Sequence, residues 1–211
     1  MEVALRSVTR SFGREVVFRG VDHVFAPGSR TALLGPNGSG KSTLLQVIGG
    51  ALSATSGTVT HQLNGRVIDP EAVYRHVAFA TPYLGLYEDL SLRDTLAFHR
   101  RFKPFRPGLA DEDVARTAYL HQEMDKPVRQ FSSGMKQRLK LVLAVMSDVP
   151  LLLLDEHTSN LDARGAAWSV DLLQEHLDGR TLVVASNRVE VETALCSAHL
   201  DVLAWKPAPR G

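Results

Sequence analysis

The stretch Gly35-Pro36-Asn37-Gly38-Ser39-Gly40-Lys41-Ser42-Thr43 follows a short apolar run, Arg30 to Leu34, and opens a segment of helical periodicity from about Lys41 to Gly49. Few folds accommodate a strand that passes through such a loop into a helix. Glycines let the backbone turn its N–H groups inward, so the loop and the helix N-terminus together form a nest for phosphate oxygens. Lys41 is placed to reach the β- and γ-phosphates and the Ser42 hydroxyl to ligate Mg²⁺. An ordinary Gly/Ser turn accounts poorly for motif, strand and helix together, and the segment predicts a nucleoside triphosphate site.

The second half of the chain supplies matching chemistry. Leu151-Leu152-Leu153-Leu154-Asp155-Glu156 reads as a buried strand ending in adjacent carboxylates, whose side chains diverge because strand periodicity is two. Asp155 is expected in the Mg²⁺ shell and Glu156 as the general base that polarises the attacking water.

Around these motifs the chain alternates strand and helix. Strands are expected near Val3 to Val8, Val21 to Phe25, Gly57 to Leu63, Val77 to Ala80 and Thr181 to Ala185, with a turn at Phe12-Gly13-Arg14. Helices are expected at 91–102, 111–121, 134–147 and about 165–178. The restored strand–helix–strand rhythm after 151 predicts a parallel sheet. Net charge is +1, from 24 Lys and Arg against 23 Asp and Glu, which offers no bulk attraction to nucleic acid or anionic lipid. A single cysteine, Cys196, excludes an internal disulfide framework and suits a reducing compartment. The longest apolar runs, 141–146 and 151–154, fall far short of the roughly 18–20 residues that span a bilayer, so a soluble chain is expected. The N-terminus lacks signal-peptide features. The tail from Lys206 to Gly211 is expected to fray, with no appended regulatory domain after it.

On these residues the chain resembles the ATP-binding-cassette (ABC) nucleotide-binding domain over nearly its whole length. The wording of residues 35–43 is the form that family favours. Phe131-Ser132-Ser133-Gly134-Met135-Lys136-Gln137-Arg138 resembles its signature motif, and Ser159-Asn160-Leu161-Asp162 its D-loop. The signature also makes physical sense, because Met135, Leu139, Val142, Leu143 and Met146 recur at helical spacing and the helix would aim its amino end at an anion. The resemblance implies an α/β fold in one domain, 1–211: a P-loop NTPase core with a mainly parallel sheet, N-terminal antiparallel strands, and a helical subdomain inserted at about 83–135. It implies ATP and Mg²⁺ as ligands, with Phe12 stacking on adenine and Ser132, Ser133, Gly134 and Asp162 facing the nucleotide of a second subunit. Two ATP molecules would be sandwiched in a head-to-tail dimer. A separate integral membrane permease subunit would hold the pair at the inner, cytoplasmic face of the membrane, and ATP hydrolysis would drive it.

Three positions depart from the family pattern. Thr81 or Pro82 stands where the family carries a glutamine that contacts Mg²⁺, and Thr81 is the candidate substitute ligand. His157 replaces a proline and is read as a loop substitution. Asn187 replaces the switch histidine; its amide can hydrogen-bond a γ-phosphate but cannot accept a proton, so slow hydrolysis is expected. An exposed apolar strip, Tyr83, Leu84, Leu86 and Tyr87, lies where the family receives its membrane partner. Arg100-Arg101-Phe102-Lys103 reads as a solvated helix end, Trp168 and Trp205 as packing residues, and the remaining histidines show no zinc-ligand spacing. The alternative reading is a soluble ABC ATPase acting as an ATP-gated interaction module with weak or no hydrolysis. One cassette without heptads or a basic face does not favour a nucleic-acid partner.

Overall fold

The computed structural model describes residues 1–207. β1 (Glu2–Phe12) and β2 (Glu15–Phe25) form an antiparallel hairpin about Gly13-Arg14, with Phe12 opposite Glu15. After β3 (Arg30–Leu34) and α1 (Lys41–Ile48), β4 (Ser56–Leu63) returns to the free edge of β1 and carries the short β5 (Arg66–Val67). These strands make a four-stranded antiparallel sheet ordered β2-β1-β4-β5. A second sheet uses β3 with β6 (Val77–Ala80), β7 (Leu151–Asp155), β8 (Thr181–Ser186) and β9 (Ala198–Asp201), in the order β6-β7-β8-β3-β9. All of its pairings are parallel.

Alternation along the parallel strands explains the two halves of the core. Leu152, Leu154, Leu182 and Val184 face a cluster built with α2 (Leu92–Phe102), α3 (Asp111–Thr117), α4 (Ser133–Met146) and α5 (Ala163–His176). Leu151, Leu153, Val183 and Ala185 face the other way, onto α1 and the hairpin residues Phe18, Val21 and Phe25. With both faces covered, β7 needs no polar positions, which is why it reads as four consecutive leucines. Each such side chain contributes about 1.5–3 kcal/mol by leaving water. The glycine loop, Glu156 and Asn187 follow β3, β7 and β8 at the same, C-terminal edge of this sheet, where open α/β sheets bind ligands.

Where the chain departs from the sequence expectations, local backbone geometry is the cause. β2 begins at Glu15 rather than near Val21, because extra residues on β2 between Val16 and Val21 break its alternation; on β1 the matching bulge lies at Ser7, which adopts φ 49° and whose N–H donates to Asp22 Oδ1 at 2.7 Å. The helix expected over 111–121 stops at Thr117, and Tyr119 turns left-handed at φ 57°. β9 and the 3₁₀ turn Pro70–His76 escaped the sequence reading, since β9 is a largely exposed edge strand with no apolar run. Arg100 and Lys103 are structural: Arg100 pairs with Asp111 at 3.1 Å, and Lys103 Nζ donates to the Tyr74 and Val77 carbonyls at 2.6 Å. Trp168 and Trp205 each pack against one of the two clusters. Of the tail expected to fray, 208–211 lie outside the described residues. Among the described residues no helix is long and apolar enough to cross a membrane.

His99 on α2 gives this fold a pH dependence. Its ring stacks on Phe105 and its Nε2 lies 2.8 Å from Ser147 Oγ. Burial, reinforced by the Lys103 charge, pushes its pKa down to about 4. The unfolded imidazole titrates near 6.5, so protons favour the unfolded state between these values. The stabilisation from keeping His99 neutral is present above about pH 6.5 and is lost as pH falls toward 4, by roughly 3 kcal/mol in all. Melting curves of the wild type and His99→Gln over that range should show a shallower slope in the variant.

Candidate functional site

β3 delivers the chain into the glycine loop at Leu34, and α1 leaves it at Lys41. Gly38 and Gly40 turn left-handed, at φ 74° and 102°, and a Cβ on Gly40 would lie 2.7 Å from Val17 Cγ1. Only glycine fits that turn. Gly40 caps α1 with no side-chain hydrogen bond, and no acidic residue lies in the first turn. The helix N-terminus is therefore open to an anion. Lys41 is 4% exposed, its ammonium donating to the carbonyls of Gly35 at 2.8 Å and Pro36 at 3.2 Å. Ser39 Oγ is buried and has no partner.

This loop forms one wall of a cavity of about 370 Å³. Asn37, Gly38, Gly40, Lys41, Ser42 and Thr43 line it, facing Glu156 and Tyr83. Asp155, the last residue of β7, is 1% exposed; its Oδ1 is buried without a partner and its Oδ2 accepts the Tyr83 hydroxyl. Glu156 leaves the strand with φ 44°, held by its N–H to the Ala185 carbonyl at 2.9 Å. A non-glycine residue in that region stores of order 1–3 kcal/mol of strain. The kink turns Glu156 toward a second, adjoining cavity as well, shared with Asn37, Thr158, Ser159 and Asn187.

The signature segment builds a separate cleft. Ser132 caps α4, its Oγ accepting the Met135 N–H at 3.2 Å, and Ser133 begins the helix. Gly134 lets the Asn160 backbone approach, since a Cβ there would sit 3.2 Å from the Asn160 carbonyl oxygen. Ser132, Gly134, Arg138, Asn160 and Asp162 line this cleft of about 290 Å³, which shares no lining residue with the glycine-loop cavity. Asp162 also caps α5, accepting the Gly165 N–H at 2.8 Å.

Two expected site residues are placed differently from the sequence reading. Thr81 is buried, 4% exposed, and does not line the cavity. The turn from Thr81 to Leu84, closed by the Leu84 N–H on the Thr81 carbonyl at 3.3 Å, instead sends Tyr83 to Asp155. The apolar strip is thereby divided: Tyr83, Leu84 and Tyr87 are exposed, Leu86 packs on the core, and Tyr83 also lines the cavity. Burial first, then the bond to Asp155, pushes the Tyr83 pKa up to about 12 against the opposing Ser42 hydroxyl, so the phenol stays a donor. Phe12 is half exposed and lies outside the cavity lining, with the Arg10 guanidinium 4.4 Å from its ring centroid.

Several contacts of the site carried no sequence signal. Gln137, on α4, is 3% exposed and donates to the His157 carbonyl at 2.8 Å, tying the signature helix to the segment that follows Glu156. His157 itself is wholly buried, both ring nitrogens lack partners, and burial pushes its pKa down to about 4. Glu192, 5% exposed, accepts the Thr158 hydroxyl at 2.8 Å and the Ser186 hydroxyl, bracing the segment behind Asn187. Nothing in the spacing of these residues announces a long-range bond; only the fold brings them together.

Known proteins resemble this chain over most of its length. Residues 18–159 match the family model described as ABC transporter. The chain is 32% identical over 199 residues to the sn-glycerol-3-phosphate import ATP-binding protein of Cereibacter sphaeroides, an alignment over 91% of this chain and 56% of that protein. It therefore spans only a little over half the length of that relative. The cytochrome c biogenesis ATP-binding export protein of Xylella fastidiosa is 34% identical over 159 residues, 74% of this chain and 71% of its own. Among solved structures, a dimeric bacterial ABC transporter cassette superposes with a TM-score of 0.80 at 23% identity, covering 95% of both chains. That likeness is one of fold.

Proposed function

The chain belongs to the ABC transporter family, and from that premise we propose that it is the ATP-binding and ATP-hydrolysing subunit of a transporter. It acts by ATP-dependent pairing with a second cassette and drives a separate membrane permease. The observation that carries this reading is the convergence of Lys41, Ser42 and Glu156 on one cavity, with Asp155 at its edge.

The residues fit Mg²⁺. Asp155 presents a buried carboxylate oxygen without a partner, and Ser42 lies in the same cavity. These are the hard oxygen donors the ion takes. Ser42 and Asp155 would hold it, and its charge would neutralise the β- and γ-phosphate oxygens. The loop N–H groups and the Lys41 ammonium bind and orient the triphosphate, Lys41 exchanging the Gly35 and Pro36 carbonyls for phosphate oxygens. Glu156 holds a water in line and takes its proton as the water oxygen bonds to the γ-phosphorus. The bond to the ADP oxygen breaks, and the proton passes to the departing phosphate.

The signature cleft serves the other subunit. Because it shares no lining with the glycine-loop cavity, Ser132, Ser133, Gly134 and Asp162 of one copy complete the nucleotide site of the next. ATP favours the closed pair through its differential affinity for it. Hydrolysis is slow, because Asn187 supplies no titratable group. The assembly lies on the inner face of the membrane, held through the permease.

Adenine stacks on Phe12 from the face opposite Arg10. Phe12→Ala should weaken ATP binding by about 1 kcal/mol, roughly fivefold, in a fluorescence titration. Unchanged affinity would remove Phe12 from the site. The transporter reading as a whole is tested by purifying the tagged chain from detergent-solubilised membranes of its source. The expected result is a polytopic membrane protein at near-equal stoichiometry; recovery of soluble partners alone, in a Lys41-dependent manner, would overturn it.

A further inference from the structure

Tyr83 has no place in the mechanism above, yet its hydroxyl reaches the centre of the site. We propose that Tyr83 is a displaceable plug on Asp155, so that loading of a cation–nucleotide and release of the segment around Tyr83 are one coupled event. The inference rests on the nucleotide-site reading of this cavity.

Three observations carry it. First, the hydroxyl donates to Asp155 Oδ2 while Oδ1 has no partner, so one of the two oxygens open to a cation is already spoken for. Second, Tyr83 lines the cavity beside Ser42, the other expected oxygen donor. The Tyr83 hydroxyl is hydrogen-bonded to both Asp155 and Ser42, so it holds the place between them that a cation drawn to these two donors would need; the stronger charge takes that place and the phenol must turn away. Third, the chain around Tyr83 is lightly held. Its neighbours are tied by the Leu84 N–H on Thr81 and by Lys140 Nζ on the Pro82 carbonyl at 3.0 Å. Beyond it Leu84 and Gly85 are exposed, and attachment resumes with Leu86 on the core, the Tyr87 ring edge-on to Phe98 at 5.0 Å, and Glu88, whose carbonyl accepts the Arg129 N–H at 2.8 Å and whose carboxylate pairs with Lys136 at 2.6 Å. Tyr83 is thus the one side chain of this turn that is fastened to Asp155. Its release leaves residues 82–85, with the exposed Leu84, free to rearrange.

The test is equilibrium binding of ADP to the whole chain, in excess Mg²⁺ and in EDTA, for wild type and Tyr83→Phe. The variant keeps the ring and loses only the hydroxyl; its melting temperature checks that it is folded. The plug predicts roughly tenfold tighter ADP binding by the variant in Mg²⁺, the worth of one hydrogen bond to a charged group, and no difference in EDTA. Amide exchange across residues 82–85 should rise in the wild type when Mg²⁺ and ADP are added together, and should already be high in the variant. Equal affinities in Mg²⁺ would overturn the plug, and weaker binding by the variant would overturn it in favour of a hydroxyl that helps hold the cation. A wild type that binds no ADP under either condition would instead overturn the nucleotide-site reading beneath it.

Discussion

Glu156→Gln is expected to lower ATP turnover by on the order of 10²–10⁴-fold, the usual worth of a general base, while nucleotide affinity stays within a few-fold of wild type. The substitution keeps size and hydrogen-bonding reach and removes only the ability to accept a proton. Binding is carried elsewhere, by the open N-terminus of α1 and by Lys41. Glu156 occupies the junction of the two cavities, lining both the one that contains Lys41 and Ser42 and the one that contains Asn187. Its φ of 44° is strained and is held by backbone bonding to Ala185 rather than by its side chain. The amide should therefore adopt the same pose. Phosphate release at saturating ATP measures the first part and equilibrium titration the second; gel filtration with ATP should show a dimer that persists because its nucleotide is not consumed. A variant that hydrolyses at the wild-type rate would place the base elsewhere.

The glycine loop, the paired carboxylates and the signature were legible because each is a local pattern whose chemistry depends on adjacent residues. Leu151 to Leu154 announced a strand covered on both faces, and the parallel sheet followed from the alternation of strands and helices around it. Register was harder. The bulge at Ser7 displaced the alternation in β1, and extra residues between Val16 and Val21 concealed the start of β2. Beside Asp155 the side chain that arrives lies two positions on from the one the sequence suggested. Sequence offered Thr81 for its hydroxyl, whereas the turn buries Thr81 and swings Tyr83, counted among apolar strip residues, onto Asp155. Tyrosine is amphipathic, and only the path of the backbone decides which end of it matters. The Gln137 and Glu192 contacts were invisible for a related reason: each joins residues 20 or 34 apart in the chain.

Asn187→His is expected to raise turnover, by on the order of 10²-fold, the lower end of what a positioned acid–base group supplies. Asn187 follows β8 and shares its cavity with Glu156, Asn37 and Glu192. Its frame is rigid: Ser186 is buried and donates to Glu192, and Val189 N–H returns to Ser186 Oγ at 3.1 Å. The backbone at this position is therefore held in place, and an imidazole carried on it would offer the γ-phosphate a group able to carry charge and move a proton. Glu192 is already occupied by Thr158 and Ser186, so it adds field without capturing the ring. The gain should appear in kcat at saturating ATP, with affinity little altered, and should fade below about pH 6 as the imidazole protonates ahead of its task. Unchanged or lower turnover would mean that the wild-type rate is limited by something other than Asn187. Release of Tyr83 from Asp155 would then be the step to examine, because it precedes chemistry and no histidine at 187 would alter it.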